Sequence, residues 1–202
     1  MTTQLRPGFN DTSELWELNY KRLDRFVKKI VPFFRVEALD RCIDVGESNP
    51  KMELIKRKMG FEADQLVVDD LNFARLDGHG KYDVIFALDL LEHLQNPLWF
   101  MNEIKGMLNP RGRIYLMVPC NWRWLWMEGH YFELDHAHLE KWIVRPLEMR
   151  IARSQRIRFM MDWRAIWIGV RPLVKYLKGR RSAVSLVRGF LYTKWELYEI
   201  EK

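Results

Sequence analysis

Residues 82–97 read Tyr82-Asp-Val-Ile-Phe-Ala-Leu-Asp-Leu-Leu-Glu-His-Leu-Gln-Asn-Pro97. The run from Tyr82 to Phe86 is almost continuously apolar, which predicts a strand buried on both faces rather than one wetted on one side. Residues 89–108 then read as helical, punctuated by Pro97. Asn109-Pro110-Arg111-Gly112 predicts a turn, and Ile114-Tyr-Leu-Met-Val118 a further strand. Upstream, Arg41-Cys-Ile-Asp-Val-Gly46 has the same buried-strand pattern and stops at a glycine. Behind it Met52, Leu54, Ile55 and Met59 recur at helical spacing, with Pro50 suited to the first turn and Gly60 to the C-terminal end. Leu66-Val67-Val68 predicts another strand, ending in Asp69-Asp70, and Asp77-Gly78-His79-Gly80 a polar turn. Residues 11–34 predict a helix with Asp11 and Glu14 as a capping box, Trp16, Tyr20, Leu23, Val27, Ile30 and Phe34 as its apolar stripe, and Pro32 ending or kinking it. Leu139–Ile143 reads as a helix, and Arg156-Ile-Arg158-Phe159 as a strand. Strands of this kind alternating with helices predict an α/β fold, a doubly wound and mostly parallel sheet. In such sheets ligands sit beyond the carboxyl ends of the strands.

The chain has 202 residues, 48% hydrophobic and 30% charged. That composition can bury a core and excludes an overall disordered chain. No apolar run approaches the roughly 20 residues of a membrane-spanning helix, and the first residues do not read as a secretory signal. Cys42 and Cys120 lie in strand-like contexts without metal-ligand spacing, so they read as free thiols in a reducing, cytoplasmic compartment. The net charge of +6 is unevenly placed: from residue 141 onward there are 15 Lys+Arg against 5 Asp+Glu. An acidic body thus precedes a basic C-terminal third, which suits an anionic partner or an ordinary solvated face.

The block Asp89-Leu-Leu-Glu-His-Leu94, in its strand–helix context, strongly resembles class I S-adenosylmethionine-dependent methyltransferases. Glu103-Ile-Lys-Gly-Met-Leu-Asn-Pro-Arg-Gly-Arg-Ile-Tyr-Leu-Met-Val-Pro119 resembles their next helix, turn and strand. Cys42-Ile-Asp-Val-Gly46 resembles the end of their first strand, and His130-Tyr-Phe-Glu-Leu-Asp135 the segment that follows the fourth. The resemblance covers residues 40–145 and implies a Rossmann-like sheet and S-adenosylmethionine as cofactor. A Gly-Glu-x-Asn loop further resembles a compact subgroup associated with bacterial polysaccharide clusters. That implies a glycan or lipid-linked glycan acceptor.

Two departures stand out. The family's Gly-x-Gly-x-Gly loop reads Gly46, Ser48 and Pro50 here. The stretch from Gly46 to Tyr82 has room for one strand, not the usual two, since a βαβ unit takes about 30 residues. The expected fold is therefore shortened by one strand–helix unit. Residues 1–38 form an N-terminal helical segment, 39–160 the Rossmann domain, and 161–202 a basic, aromatic, helical extension.

The resemblance implies cofactor contacts at the strand ends: Asp44, Gly46, Glu47 and Asn49 toward the amino-acid end, and Ala87 and Leu88 after the third strand. Asp69 or Asp70 is the available acid for the ribose. Glu47 and Asn49 could equally cap the helix at Pro50, and Asp69-Asp70 could simply close its loop. His93 and His130 are the candidate catalytic bases, because an imidazole titrates near neutrality; packing under the site is the other reading of Glu92-His93. His130, His136 and His138 lack any CxxC or HExxH pattern, so no metal is expected. Trp122, Trp124 and Trp126 could stack on a sugar, a base or a lipid, or plug the sheet end. Val184, Val187, Leu191 and Trp195 recur at helical spacing among Lys178, Arg180, Arg181 and Arg188. That pattern suits a helix on an anionic membrane, with RNA a less favoured partner and a homodimer possible through tryptophan-rich surface. The competing function is a methyltransferase-like scaffold without catalysis.

Overall fold

In the computed structural model, residues 13–120, 130, 131, 134–160 and 192–202 are described. Helix α1 (Ser13–Ile30) runs into a 3-10 turn at Val31–Phe33. Then come β1 (Cys42–Val45), α2 (Pro50–Met59), β2 (Asp64–Leu66), β3 (Tyr82–Leu88), a 3-10 turn at Leu91–His93, and α3 (Pro97–Met107). Strand β4 (Leu108–Pro119), helix α4 (His136–Leu139), β5 (Arg150–Met160) and β6 (Tyr192–Glu201) complete the order. The six strands lie as β2-β1-β3-β4-β6-β5. The first four are parallel, and β6 is inserted antiparallel between β4 and β5. This is the Rossmann-like α/β fold expected from the sequence. Residues 67–81 hold no strand, so a single strand lies outside β1.

Both sheet faces are covered, which explains the unbroken apolar strands. On one face Val84, Phe86, Tyr115, Met117 and Leu197 pack under Phe26, Val27 and Ile30 of α1 and Met52 and Ile55 of α2. On the other, Ile43, Ile85, Ile114, Leu116 and Tyr198 pack under Phe100, Met101 and Ile104 of α3 and Leu139 and Ile143. Asn49 caps α2 by accepting from the Met52 N–H at 2.9 Å, and Gly60 closes it. The β3–β4 register jumps between Tyr82 and Val84. There Gly112 lies so close to the chain that a Cβ would sit 2.8 Å from Leu108 Cδ2 and 3.0 Å from the Tyr82 carbonyl.

Three expectations are corrected. Strand β2 is Asp64–Leu66, because Gln65 pairs with Asp44 while Val67 is 59% exposed beyond the sheet. Residues 89–108 are not one helix: Asn96 starts α3 by accepting from the Trp99 N–H at 3.2 Å, and a 3-10 turn precedes it. Trp195, placed on a helix from its spacing, lies in β6, so the last residues of the 161–202 extension belong to the sheet and are not helical. The capping residue Asp11, the tryptophans at 122, 124 and 126, and the helical pattern over 184–191 lie outside the described residues.

Strands β5 and β6 are stitched by ion pairs. Arg150 faces Glu201, Arg153 faces Glu199, and Arg156 faces Glu196. Glu196 and Glu199 are buried, so the arginines answer charges that would otherwise be unmatched. Part of the basic excess noted in the sequence is thereby neutralised within the sheet. Among the described residues no helix is long and apolar enough to cross a membrane.

Candidate active site

The carboxyl ends of β1 and β3 lie side by side in the sheet, and the two loops that leave them form a cradle. Gly46 ends β1 at φ 114°, a conformation that a Cβ resists, and its N–H donates to the Leu66 carbonyl at 2.9 Å. The side chain of Leu90, from the β3 loop, lies against it. Asp44, one strand position inward, is 3% exposed, and its Oδ2 has no hydrogen-bond partner among the described residues. Burial pushes its carboxyl up to about 7, against a Gln65 hydrogen bond that pulls it down. Gln65 donates to the Gly46 carbonyl at 2.7 Å, closing the β2 side of the cradle.

At the end of β3, Asp89 adopts φ 53°, an uncommon conformation for a residue other than glycine. Its N–H donates to the Met117 carbonyl at 2.8 Å. Its Oδ2 receives the ammonium of Lys51, from the first turn of α2, while its Oδ1 is buried without a partner among the described residues. This ion pair bridges the β1 and β3 loops, and both side chains are largely covered.

Beyond Asp89 the chain turns through Glu92 and His93. Glu92 is 3% exposed, and its Oε2 is unpartnered among the described residues. Burial lifts its carboxyl to about 8. The His93 ring meets the His130 ring edge-on at 4.7 Å between centroids. Tyr131 donates its N–H to the Glu92 carbonyl at 2.7 Å, which ties the two segments together. Burial first, and His93 second, hold His130 below its ordinary range, which favours its neutral form, against the charge of Asp89. The charge of Asp89 acts on both Glu92 and His130, placing cradle and histidines at one mouth.

Of the residues named from the sequence, Asp44, Gly46, Ala87, Leu88, His93 and His130 gather at or beneath these strand ends. Ala87 and Leu88 are buried in the two core faces. Asn49 spends its side-chain oxygen on the α2 cap, and Glu47 is exposed beside it. Asp69 and Asp70 stand on an exposed loop beyond β2. Asp70 accepts from the backbone and side chain of Asn72, each at 2.9 Å, and Asn72 in turn accepts from the N–H groups of Gln95 and Asn96. That network staples the β2–β3 loop to the start of α3. The other two histidines of the stretch after β4 are engaged elsewhere: His136 stacks on Tyr198, and His138 pairs with Asp135 at 2.8 Å.

The sequence reading missed Lys51, Gln65 and the pairing of Asp89. Lys51 did carry a signal. A cation in the first turn of a helix opposes the helix dipole, so a lysine there needs a specific anionic partner.

A family described as a methyltransferase domain matches residues 15–151. The chain belongs to this methyltransferase-domain family. Family and fold therefore agree with the S-adenosylmethionine-dependent methyltransferase read from the Asp89–Leu94 block. No curated protein matches the sequence. Among solved structures, the chain is similar to a Bacillus halodurans C-125 protein ascribed methyltransferase activity, with 9% identity, TM-score 0.58, and coverage of 87% of this chain and 98% of that one. It is also similar to the O-methyltransferase of a Brevibacillus brevis trans-AT polyketide synthase in complex with S-adenosylhomocysteine. There the identity is 12%, the TM-score 0.53, and the coverage 99% and 82%. The [4+2]-cyclase SpnF is a third, with 16% identity, TM-score 0.55, and coverage of 88% and 80%. At these identities the likeness is one of fold, and a cyclase among methyltransferases shows that the fold alone does not fix the reaction.

Proposed function

We propose that this methyltransferase-family protein binds S-adenosylmethionine in the β1–β3 cradle and methylates a glycan or lipid-linked glycan precursor. The observation that carries the cofactor part is the Lys51–Asp89 pair beside Gly46. The cofactor's amino-acid end is a zwitterion, and the cradle offers one cation and one anion at the same place. Lys51 would take the carboxylate and Asp89 the ammonium, with the unpartnered Asp44 oxygen in reserve beneath. When bound, the cofactor supplies a methyl group already activated on a sulfonium. The protein's task is then to hold the acceptor in line with it and receive a proton. His93 and His130 are assigned to the acceptor, whose proton an imidazole nitrogen can take. Asp69 is assigned to the ribose.

The glycan assignment is supported by the Gly46-Glu-Ser-Asn49 loop, and the placing of that acceptor at an anionic membrane surface by the basic C-terminal third. Calorimetric titration with S-adenosylmethionine and S-adenosylhomocysteine tests the cofactor reading. Micromolar binding is expected. Folded protein that takes up neither ligand at millimolar concentration overturns it in favour of a non-catalytic module.

A further inference from the structure

The donor groups of Glu92, His93 and His130 converge although nothing in their spacing resembles a metal motif. One ligand atom from each lies within 4.8 Å of the others. Two of the three residues are buried, and the third, His93, opens the cluster to solvent. The Glu92 oxygen left without a partner is the second sign. A buried polar atom normally finds a hydrogen bond, and one that does not calls for an explanation. We propose that Glu92, His93 and His130 form a divalent transition-metal site, of the two-histidine, one-carboxylate kind that leaves open coordination positions.

Imidazole donors exclude magnesium and calcium as the preferred ions, and suit zinc, cobalt, iron or nickel. Around zinc, nitrogen and oxygen donors stand about 2.0–2.2 Å from the ion, so they lie roughly 3.3 Å apart. The present cluster must contract by about 1.5 Å at its widest. The backbone bond from Tyr131 to Glu92 already fixes the Glu92 and His130 segments against each other. An ion here can seat an acceptor hydroxyl at an open position and lower its pKa; with the ion bound the two imidazoles spend their lone pairs on it, and this activation replaces the proton acceptance assigned to them above. That use rests on the methyl-transfer reading above; the binding of the ion does not.

The test uses tag-free, full-length protein, stripped with chelator and without cofactor. Co2+ is added and followed by visible absorption and calorimetry, then displaced with Zn2+. One ion per chain at micromolar affinity is expected, with a visible Co2+ band that Zn2+ removes. His93→Ala, at an exposed position, is expected to keep the fold and weaken binding by at least about 10-fold; His130→Ala and Glu92→Gln should do the same or more. His136→Ala, outside the cluster, should leave affinity unchanged. Absence of Co2+ uptake by the folded wild type overturns the proposal, and so does uptake that survives His93→Ala and His130→Ala. S-adenosylhomocysteine binding by the same metal-free sample reports separately on the cofactor reading.

Discussion

Replacing Lys51 with Met keeps most of the side chain's length while deleting the ammonium, together with its 5.7 Å approach to the Phe26 ring. Two effects follow, and they can be measured apart. The first is on ligands. A hydrogen bond to a charged group is worth about 1.5–3 kcal/mol, so S-adenosylmethionine and S-adenosylhomocysteine should each bind about 10–150-fold more weakly. Methylthioadenosine shares the adenosine and the sulfur but lacks the amino-acid end, and its affinity should stay within about 2-fold. The second effect is on the free protein. Asp89 loses its partner while its Oδ1 is already unsatisfied. Leaving a buried acceptor unmet costs about 1–3 kcal/mol; its side chain is 31% exposed, and water screening moves the cost to the low end. The assay is calorimetry with the three ligands on wild type, Lys51→Met and Lys51→Arg, with a denaturation curve for each. Arginine should restore a large part of the affinity. An equal loss for methylthioadenosine would mean the site has collapsed, and no loss for any ligand would mean that Lys51 does not face the cofactor; either result refutes the reasoning.

Gly112→Ala should destabilise the fold by about 1–3 kcal/mol, because its new methyl group meets backbone oxygen and Leu108 at the β3–β4 irregularity; an unchanged denaturation midpoint would contradict this. Arg153→Met strands buried Glu199 and should cost about 3–5 kcal/mol by denaturant titration, reduced by the 31% exposure of the arginine. Adding Glu199→Gln should recover much of the loss, and strict additivity would argue against a coupled pair. Asp44 titrates near 7 in the fold because of burial, against about 3.9 unfolded. The folded chain therefore holds the extra proton between those values, and the ligand-free protein is most stable below pH 4 on this account and loses stability as pH rises toward 7. Asp44→Asn removes the slope, so its stability relative to wild type should increase from pH 4 to pH 7 in chemical denaturation, by at most about 1.4 kcal/mol per pH unit.

The central strands were legible because burial on both faces leaves a run of apolar residues that few other structures use. β2 was misplaced for the complementary reason. Val67 and Val68 look like strand, but the pairing with β1 uses Asp64 and Gln65, whose polarity is spent on Arg41, Tyr82 and the Gly46 loop. The C-terminal strand was hidden by two features. Trp195 fits a helical period when read with Val184, Val187 and Leu191. Glu196 and Glu199 look like a solvent face until arginines 40 and 46 positions earlier are brought opposite them. Arg153 and Arg156 mirror the three-residue spacing of Glu196 and Glu199, whereas Arg150 and Glu201 fall out of step because a bulge between Ile151 and Arg153 shifts the register. Gly46 and Asp44 were readable from a strand ending in glycine. The Lys51–Asp89 pair and the meeting of His93 with His130 depend on which loops the sheet order brings together, and no local pattern encodes that.

The altered glycine loop and the Lys51–Asp89 pair have a common physical explanation. A glycine loop holds an anionic ligand group with backbone N–H donors at a helix N-terminus. Here Pro50 removes one donor and Ser48 adds a side chain, so the backbone contribution falls. Lys51 returns positive charge to the same helix turn, although its position opposes the dipole, and Asp89 offsets that opposition in the free protein. On the function proposed, cofactor entry exchanges one ion pair for two, lysine with carboxylate and ammonium with aspartate, so no charge is left unmatched at any stage. A ligand without the amino-acid end, such as methylthioadenosine, leaves the pair closed and gains nothing from it. The two residues that pair in the free protein would thus be the ones that read the zwitterion, a recognition of both charges that a backbone loop of three glycines supplies only on its anionic half.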